Sequence, residues 1–173
     1  MATLAALSKT AHLFSISACF GCSCWVTFVA GIVSWKALPR HTFGKLQSKL
    51  FPAYFRVTAG CLVVGLAALV SGLGRRWDSA PVACLAGALV LELVNMLYLE
   101  PVTTRLMFKR HIVERRLGTG HEVGQLTPDD PKAANNPGLK RMTREFGMWH
   151  GASASANLVV MALVGYEMYV ELL

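Results

Sequence analysis

Four long apolar stretches constrain the fold of this chain more than any other feature of its sequence. They cover about residues 12–35, 54–74, 80–99 and 149–172, and the first contains no Asp, Glu, Lys or Arg. A helix needs about 20 predominantly apolar residues to cross the roughly 30 Å hydrocarbon core of a bilayer. The sequence therefore predicts an all-α membrane protein built as a four-transmembrane-helix bundle.

The composition agrees with a lipid-facing protein. Of the 173 residues, 54% are hydrophobic and 16% are charged. In an average soluble domain about 25% of the residues are charged, so the shortage of charge argues against an ordinary soluble enzyme. We expect residues 1–173 to form a single four-span membrane domain.

The distribution of basic residues predicts how the helices are oriented. The formal net charge is +7, and the two long loops contain thirteen Lys and Arg residues against three on the opposite side. Loops of up to about 60 residues that are rich in Lys and Arg stay on the cytoplasmic side. We therefore expect the two basic loops to be cytoplasmic, or to face the matrix or stroma of an organelle. Both termini then lie on the opposite side. The basic loops would contact anionic lipid headgroups, and no nucleic acid is needed to explain the charge.

A short helix is predicted between the first two spans. Apolar residues there fall largely at helical spacing, and two lysines fall on a different face, as is typical of a helix lying in the headgroup layer. The predicted interfacial helix comprises Phe43, Lys45, Leu46, Gln47, Lys49, Leu50 and Phe51. A simple connecting turn is the alternative.

The third span is expected to continue as a second, cytoplasmic helix. Glu100 and Pro101 lie where the span should leave the membrane, and both residue types suit a first helical turn. This helical extension of span three should run to about Arg116. Residues 117–139 are rich in Gly, Pro, Asn and Asp, a composition that predicts a mobile loop.

The cysteines do not predict a metal site. All five lie within predicted spans, and Cys19, Cys22 and Cys24 form a C-x2-C-x-C pattern. Cys19 and Cys22 share a helix face while Cys24 points elsewhere, and no second Cys pair follows at zinc-site spacing. We expect these side chains to pack in the core, and we expect no metal and no cofactor.

Polar residues within the third and fourth spans are the candidate functional site. A polar side chain in a span is costly and usually faces the bundle interior. The residues predicted to cluster in the cytoplasmic half of the bundle are Glu92, Asn95, His150, Ser153 and Asn157, and an ion pair between Arg56 and Glu100 is predicted at the rim. A rise of about 1.5 Å per residue lets Asn95 meet Ser153 and lets Glu92 approach Asn157.

This cluster has two possible roles. It could bind a small cation, a proton or a polar headgroup, or it could hold the helices in register through hydrogen bonds worth about 0.6 to 2 kcal/mol each. No residue pattern predicts catalysis, because His150 lies three residues from Ser153 on the same helix rather than on a facing one.

Several sequence blocks resemble the transmembrane protein 205 family. The first half of the family's sequence resembles Trp25–Gly31, Leu38–Gly44 and Gln47–Phe55 of this chain. The family's middle motif resembles Leu99–Thr104 with Met107. The family's last span resembles the pattern formed by Phe146, His150, Gly151, Ser153, Asn157 and Leu158. The resemblance covers essentially the whole chain and implies a small four-span integral membrane protein. It carries over no catalytic residues.

Together these features predict a non-enzymatic membrane protein. We expect it to act as a scaffold, accessory subunit or trafficking factor through its basic loops, alone as a homo-oligomer or within a larger membrane complex. The alternative is a small oligomeric transporter or channel that passes a cation or soft metal through the intramembrane polar cluster. A path through so few spans would require oligomers.

Overall fold

The computed structural model describes residues 2–125 and 128–172, which form four long helices and one short one. Helix α1 comprises Ala2–Cys24, a wider π-helical turn at Trp25–Ala30 and Gly31–Ala37. Helix α2 comprises Arg40–Ala67 and a π-helical turn at Ala68–Gly72. Helix α3 comprises Ala80–Val94, a π-helical turn at Asn95–Leu99 and Glu100–Arg116; α4 is Pro131–Ala134 and α5 is Pro137–Leu172.

Each of the four long helices contains a stretch long and apolar enough to cross a membrane. The described residues contain no β-strand. The prediction of an all-α protein with four membrane-spanning helices is therefore confirmed.

The second helix begins earlier than its predicted span. It starts at Arg40 and continues through Pro52, so the short interfacial helix predicted over residues 43–51 is the first part of α2 and not a separate element. Proline lacks an N–H group and so removes one helical hydrogen bond. The helical bonds on both sides of Pro52 keep α2 continuous.

The fourth long helix also begins earlier than predicted. Helix α5 starts at Pro137, so the loop predicted over residues 117–139 is shorter, and it contains α4. The Asp130 side chain caps α4 by accepting a hydrogen bond from the backbone N–H of Lys132 at 2.9 Å. An acidic cap of this kind satisfies a donor that the first helical turn leaves free.

The first part of that loop is bonded to the connection between α1 and α2. The backbone N–H groups of Arg40 and His41 donate to the carbonyl oxygens of Glu122 and Gly120, both at 2.9 Å. Pro39 and Val123 form an isolated antiparallel bridge. The loop predicted to be mobile is thus joined, over residues 120–124, to the start of α2.

The four long helices pack in a ring. Helix α1 contacts α2, α2 contacts α3, α3 contacts α5, and α5 contacts α1. The close-packed core lies at the end of the bundle away from the basic loops. It consists of Ile16, Cys19, Leu62, Leu69, Val82, Leu85, Ala88, Val160 and Val164.

Candidate functional site

Asn95 on α3 and Ser153 on α5 bind each other. The Asn95 Nδ2 donates to the Ser153 carbonyl oxygen at 2.9 Å, and the Ser153 Oγ donates to Asn95 Oδ1 at 2.5 Å. The two helices run in opposite directions, which brings residues at the same depth together. The structure therefore places next to each other two residues that the sequence predicts to meet.

Glu92 and Asn157 are buried but have different partners. Glu92 accepts a hydrogen bond from the Thr58 hydroxyl of α2. Asn157 accepts one from the Tyr54 hydroxyl at 2.6 Å and donates one to the Thr27 hydroxyl at 3.0 Å. Glu92 and Asn157, which were predicted to approach each other, thus contact different residues of α2. Thr58 binds Glu92, and Tyr54, one turn earlier, binds Asn157.

Tyr54 is the centre of a polar chain that crosses three helices. Its hydroxyl lies 2.8 Å from Ser23 Oγ on α1 and 2.6 Å from Asn157 Oδ1 on α5. Because Tyr54 donates its proton to Asn157, the single Ser23 proton can go either to the Tyr54 oxygen or to the Cys19 carbonyl, which is also 2.8 Å away. Sequence reasoning missed this chain because Tyr, Ser and Thr are common in apolar helices.

The predicted rim residues do not form the predicted contacts. Arg56 is exposed, and its Nε donates to the Pro52 carbonyl at 2.8 Å. Glu100 is buried and accepts from the Thr104 hydroxyl at 2.6 Å, so the described residues contain no ion pair between Arg56 and Glu100. His150 is exposed and stacks on Phe146, and both side chains line the cavity in the basic half of the bundle. Each of these three side chains instead contacts a residue one turn away on its own helix. The rotation of each helix about its axis therefore decides that the predicted contacts do not form.

The residues of the predicted interfacial helix divide between the two sides of α2. Gln47 is buried, while Lys45, Leu46 and Lys49 are exposed and Phe43, Leu50 and Phe51 are partly buried. The lysines therefore face outward, as an amphipathic pattern predicts.

An ionic cluster that was not predicted lies at the basic end of the bundle. Glu114 of α3 is buried between two guanidinium groups, with Arg40 Nε at 3.4 Å and Arg110 Nε at 3.2 Å from its Oε1. His41 Nε2 lies 2.8 Å from its Oε2, and Arg40 Nη2 lies 3.0 Å from Glu122 Oε2. The spacing of Arg110 and Glu114 by one turn was a usable signal in the sequence. No pattern in the sequence indicated the contacts of Arg40 with α3 and with the loop after it.

Glu122 remains ionised within this cluster. Burial raises the pKa of its carboxyl, but backbone N–H groups, including that of Gly120 at 2.7 Å, and the Arg40 guanidinium more than offset burial and hold the pKa below its usual value. A carboxylate that accepts such bonds favours its charged form. The negative charge thus connects the loop to the first turn of α2.

A second unpredicted pair lies at the other end of the bundle. His12 of α1 and Glu167 of α5 are both fully buried, with His12 Nε2 3.3 Å from Glu167 Oε1. The other ring nitrogen of His12 lies 3.0 Å from the Gly65 carbonyl of α2. This pair joins three helices next to the apolar core.

In each of two groups of side chains, three possible metal ligands lie close together. Ligand atoms of His41, His111 and Glu114 lie within 4.8 Å of one another, as do those of His12, Glu167 and Glu171. In the first group the Arg40 and Arg110 guanidiniums contact the carboxylate, and two positive charges oppose a cation there. Cys19, Cys22 and Cys24 contribute to neither group.

A cavity of about 720 Å³ opens inside the basic half of the bundle. It is lined by the second half of α1, the first half of α2, the extension of α3 and the first half of α5. The volume falls within the roughly 300–1,000 Å³ range of ligand pockets. Tyr54, Ser153 and Asn157 reach its inner end, so the polar chain and the cavity are adjacent.

Comparison with known proteins places this architecture among membrane proteins. Residues 14–112 match the model of a domain of unknown function, DUF4149. Transmembrane protein 205 of Danio rerio is 31% identical over 164 residues, which cover 87% of this chain and 84% of the relative. Xanthocillin biosynthesis cluster protein D of Aspergillus fumigatus is 35% identical over 75 residues, 40% of this chain and 48% of that protein. No solved structure matches.

Proposed function

Because the chain belongs to the transmembrane protein 205 family, we propose that this multi-pass membrane protein acts, without catalysing a reaction, as a scaffold, accessory subunit or trafficking factor. Its basic loops would contact anionic headgroups and partner proteins, in a homo-oligomer or a larger membrane complex. The exposed basic end of the bundle is the observation that carries this proposal.

The basic end presents its charge outward. Of its thirteen Lys and Arg residues, all but Arg40 and Arg110 are exposed. The exposed ones are Lys36, Lys45, Lys49, Arg105, Lys109, Arg115, Arg116, Lys132, Lys140, Arg141 and Arg144. Each basic residue near an anionic bilayer surface contributes roughly 1 kcal/mol of attraction. Such a surface suits contact with headgroups or with an acidic partner.

The pairing of intramembrane polar groups supports a role without catalysis. Asn95 and Ser153 satisfy each other, and Asn157 is bonded to Tyr54 and Thr27. A nucleophilic serine needs a base within hydrogen-bond reach, whereas the Ser153 hydroxyl donates to an amide. These side chains serve best as interhelical contacts.

The basic surface can be tested by neutralising it. We expect the triple variant Lys140→Gln, Arg141→Gln, Arg144→Gln to lose co-sedimentation with anionic liposomes and to lose its high-mass form on native gels in mild detergent. The matched control, Arg75→Gln with Arg76→Gln, removes charge at the opposite end. If both variants keep the partners and the liposome binding of the wild type, the proposal fails.

Two buried carboxylates favour the alternative of a transporter or channel for a cation or soft metal. Glu92 Oε2 and Glu167 Oε2 have no hydrogen-bond partner in the part of the chain that the structure describes, while Glu167 Oε1 contacts His12 alone. Such groups in a membrane often bind protons or ions. Flux of protons and monovalent cations into liposomes tests this. Flux that Glu92→Gln abolishes, while the variant stays folded, would replace the scaffold role.

We also propose that both long loops face the cytoplasm, matrix or stroma, with both termini opposite. The excess of basic residues in these loops supports this orientation. A tag inserted between Asp129 and Asp130 should be protected in sealed cells, while a tag at the C-terminus should be labelled from the other side. The reverse labelling would overturn the orientation.

A further inference from the structure

The cavity in the basic half of the bundle has a mainly apolar wall that reaches the lipid-facing surface. Aromatic and aliphatic side chains such as Phe43, Phe51 and Phe55 line its interior. Ile32 of α1 and Leu158 of α5 also line it, and both are about half exposed, at 45% and 49%. Both residues lie in segments expected to be within the bilayer. The cavity therefore opens sideways between α1 and α5, toward the acyl chains.

The other end of the cavity holds buried polar atoms without partners. Among residues 2–125 and 128–172, Trp35 Nε1, Gln47 Oε1 and Arg40 Nη1 are buried with neither a hydrogen bond nor an ion pair. Arg40 Nε and Nη2 and Arg110 Nε are buried as well, but they lie 3.0–3.4 Å from the carboxylates of Glu114 and Glu122. All four side chains line the cavity. Trp35 Nε1 and Arg40 Nη1 are donors, and a buried donor without an acceptor is unfavourable. The polar end is therefore suited to a group rich in acceptors.

The wall of the cavity contains two arginines and one glutamate. Arg40 and Arg110 are only 5% and 6% exposed and form part of the wall. Their acidic neighbours Glu114 and Glu122 are not part of the wall, so they contact the arginines from behind. Glu100 does line the cavity, and its Oε1 accepts from the Thr104 hydroxyl. Planar guanidinium groups bind carboxylates and phosphates well, and Arg40 Nη1 still lacks an acceptor.

From this arrangement we infer that the cavity is a binding site for an anionic lipid. The oxyanion of the headgroup, a phosphate or a carboxylate, binds Arg40, Arg110 and the Trp35 indole N–H. An acyl chain occupies the apolar wall and leaves through the opening between α1 and α5. The lipid enters sideways from the leaflet on the basic side. This site is separate from the exposed basic surface and does not depend on a scaffold role.

Binding can be measured on the full chain by native mass spectrometry and thermal shift. The probes are oleoyl lysophosphatidic acid, oleic acid, the uncharged lipid monoolein and inorganic phosphate. We expect one lysophosphatidic acid or oleic acid per chain to remain bound and to raise the unfolding temperature. Equal binding of monoolein would overturn recognition of an anion. An equal shift with inorganic phosphate alone would overturn the lipid, and no binding by either anionic lipid would overturn the site.

Two alanines in the same turn of α5 allow the cavity to be distinguished from the outer surface of the bundle. Ala154 lines the cavity and Ala152 does not, although both are exposed on α5. Ala154→Trp should block the opening and lower lipid affinity, while Ala152→Trp should bind like the wild type. Equal binding by the two variants would place the lipid elsewhere.

A second pair of variants tests the headgroup contact. Removing one charged hydrogen-bond donor should weaken binding roughly tenfold or more. We therefore expect this loss in Arg110→Gln and no loss in Arg105→Gln, which is exposed on the same helix. If Arg110→Gln does not fold, Gln47→Leu with Trp35→Phe tests the same polar end. Unchanged affinity in the folded variants would overturn the assignment.

Discussion

At the scale of single residues, polar side chains in the spans are partnered across helices. Lipid offers no hydrogen bonds, so a polar group inside a span needs a partner from the protein. Tyr54 illustrates this because one hydroxyl contacts Ser23 of α1 and Asn157 of α5. Asn157 in turn reaches Thr27. A few side chains thus determine how α1, α2 and α5 are positioned beside the cavity.

Removing the Tyr54 hydroxyl should weaken this arrangement. Tyr54→Phe leaves Ser23 and Asn157 with one partner fewer, so we expect the free energy of unfolding to fall by about 1 to 2 kcal/mol. The measurement is reversible unfolding in a fixed mixture of lipid and detergent. Tyr169→Phe is the matched control because Tyr169 is exposed. Equal stability of the two variants would show that the chain of hydroxyls contributes nothing.

At the scale of elements, the loop after α3 is built onto the first turn of α2. Gly120 has a φ of 106°, a backbone conformation that residues other than glycine rarely adopt. The His41 ring also lies against its Cα, so a Cβ there would collide with the imidazole. The loop backbone can donate to Glu122 and accept from His41 only because this residue is glycine.

Gly120→Ala should detach this loop from α2. We expect faster proteolysis and faster hydrogen exchange over residues 117–125, because the alanine methyl collides with His41 and strains the backbone. Gly118→Ala is the control, since Gly118 also has a positive φ but open space around its Cα. The interpretation fails if the two variants behave alike.

The attachment of the loop should also depend on pH. The folded-state pKa of Glu122 lies below its usual value of 4.5. Its stabilising contribution is therefore complete above the usual pKa and is lost as the pH falls through the lower folded-state pKa. Hydrogen exchange over residues 117–125, corrected for intrinsic rates, should accelerate as the pH falls below 4.5 and through the lower folded-state pKa. Glu122→Gln should lack this dependence, and an unchanged profile in the variant would contradict the assignment.

At the scale of the whole molecule, the bundle has two different halves. The half away from the basic loops is close-packed around Leu62, Leu69 and Leu85. The basic half contains the cavity, and two of the three π-helical turns, Trp25–Ala30 and Asn95–Leu99, lie at the boundary between the halves. Such turns often accompany functional sites because they rotate the side chains that follow.

Large-to-small substitutions should distinguish the halves. Leu62→Ala removes a side chain that is fully buried, so we expect a loss of about 2 kcal/mol or more in unfolding free energy. Ile32→Ala, on the wall of the cavity opening, should cost less than about 1 kcal/mol because few neighbours lose contacts. Comparable losses would mean that the cavity half is as tightly packed as the core.

The four spans and the uneven distribution of basic residues follow from the sequence alone. Bilayer thickness demands about 20 apolar residues per span, and each helix satisfies its own backbone hydrogen bonds. These requirements are local, so they can be read along the chain. The meeting of Asn95 with Ser153 was also predictable, because it needs only the depths of two antiparallel helices.

The tertiary structure alone decided which other side chains meet. Helix rotation turned Glu92 toward Thr58 and Asn157 toward Tyr54, and it left Arg56 without Glu100. The contacts of Arg40 with Glu114 and Glu122 join residues more than seventy positions apart. The cavity likewise exists only where four helices diverge. Such features depend on rotation and register between elements, which no local pattern of residues encodes.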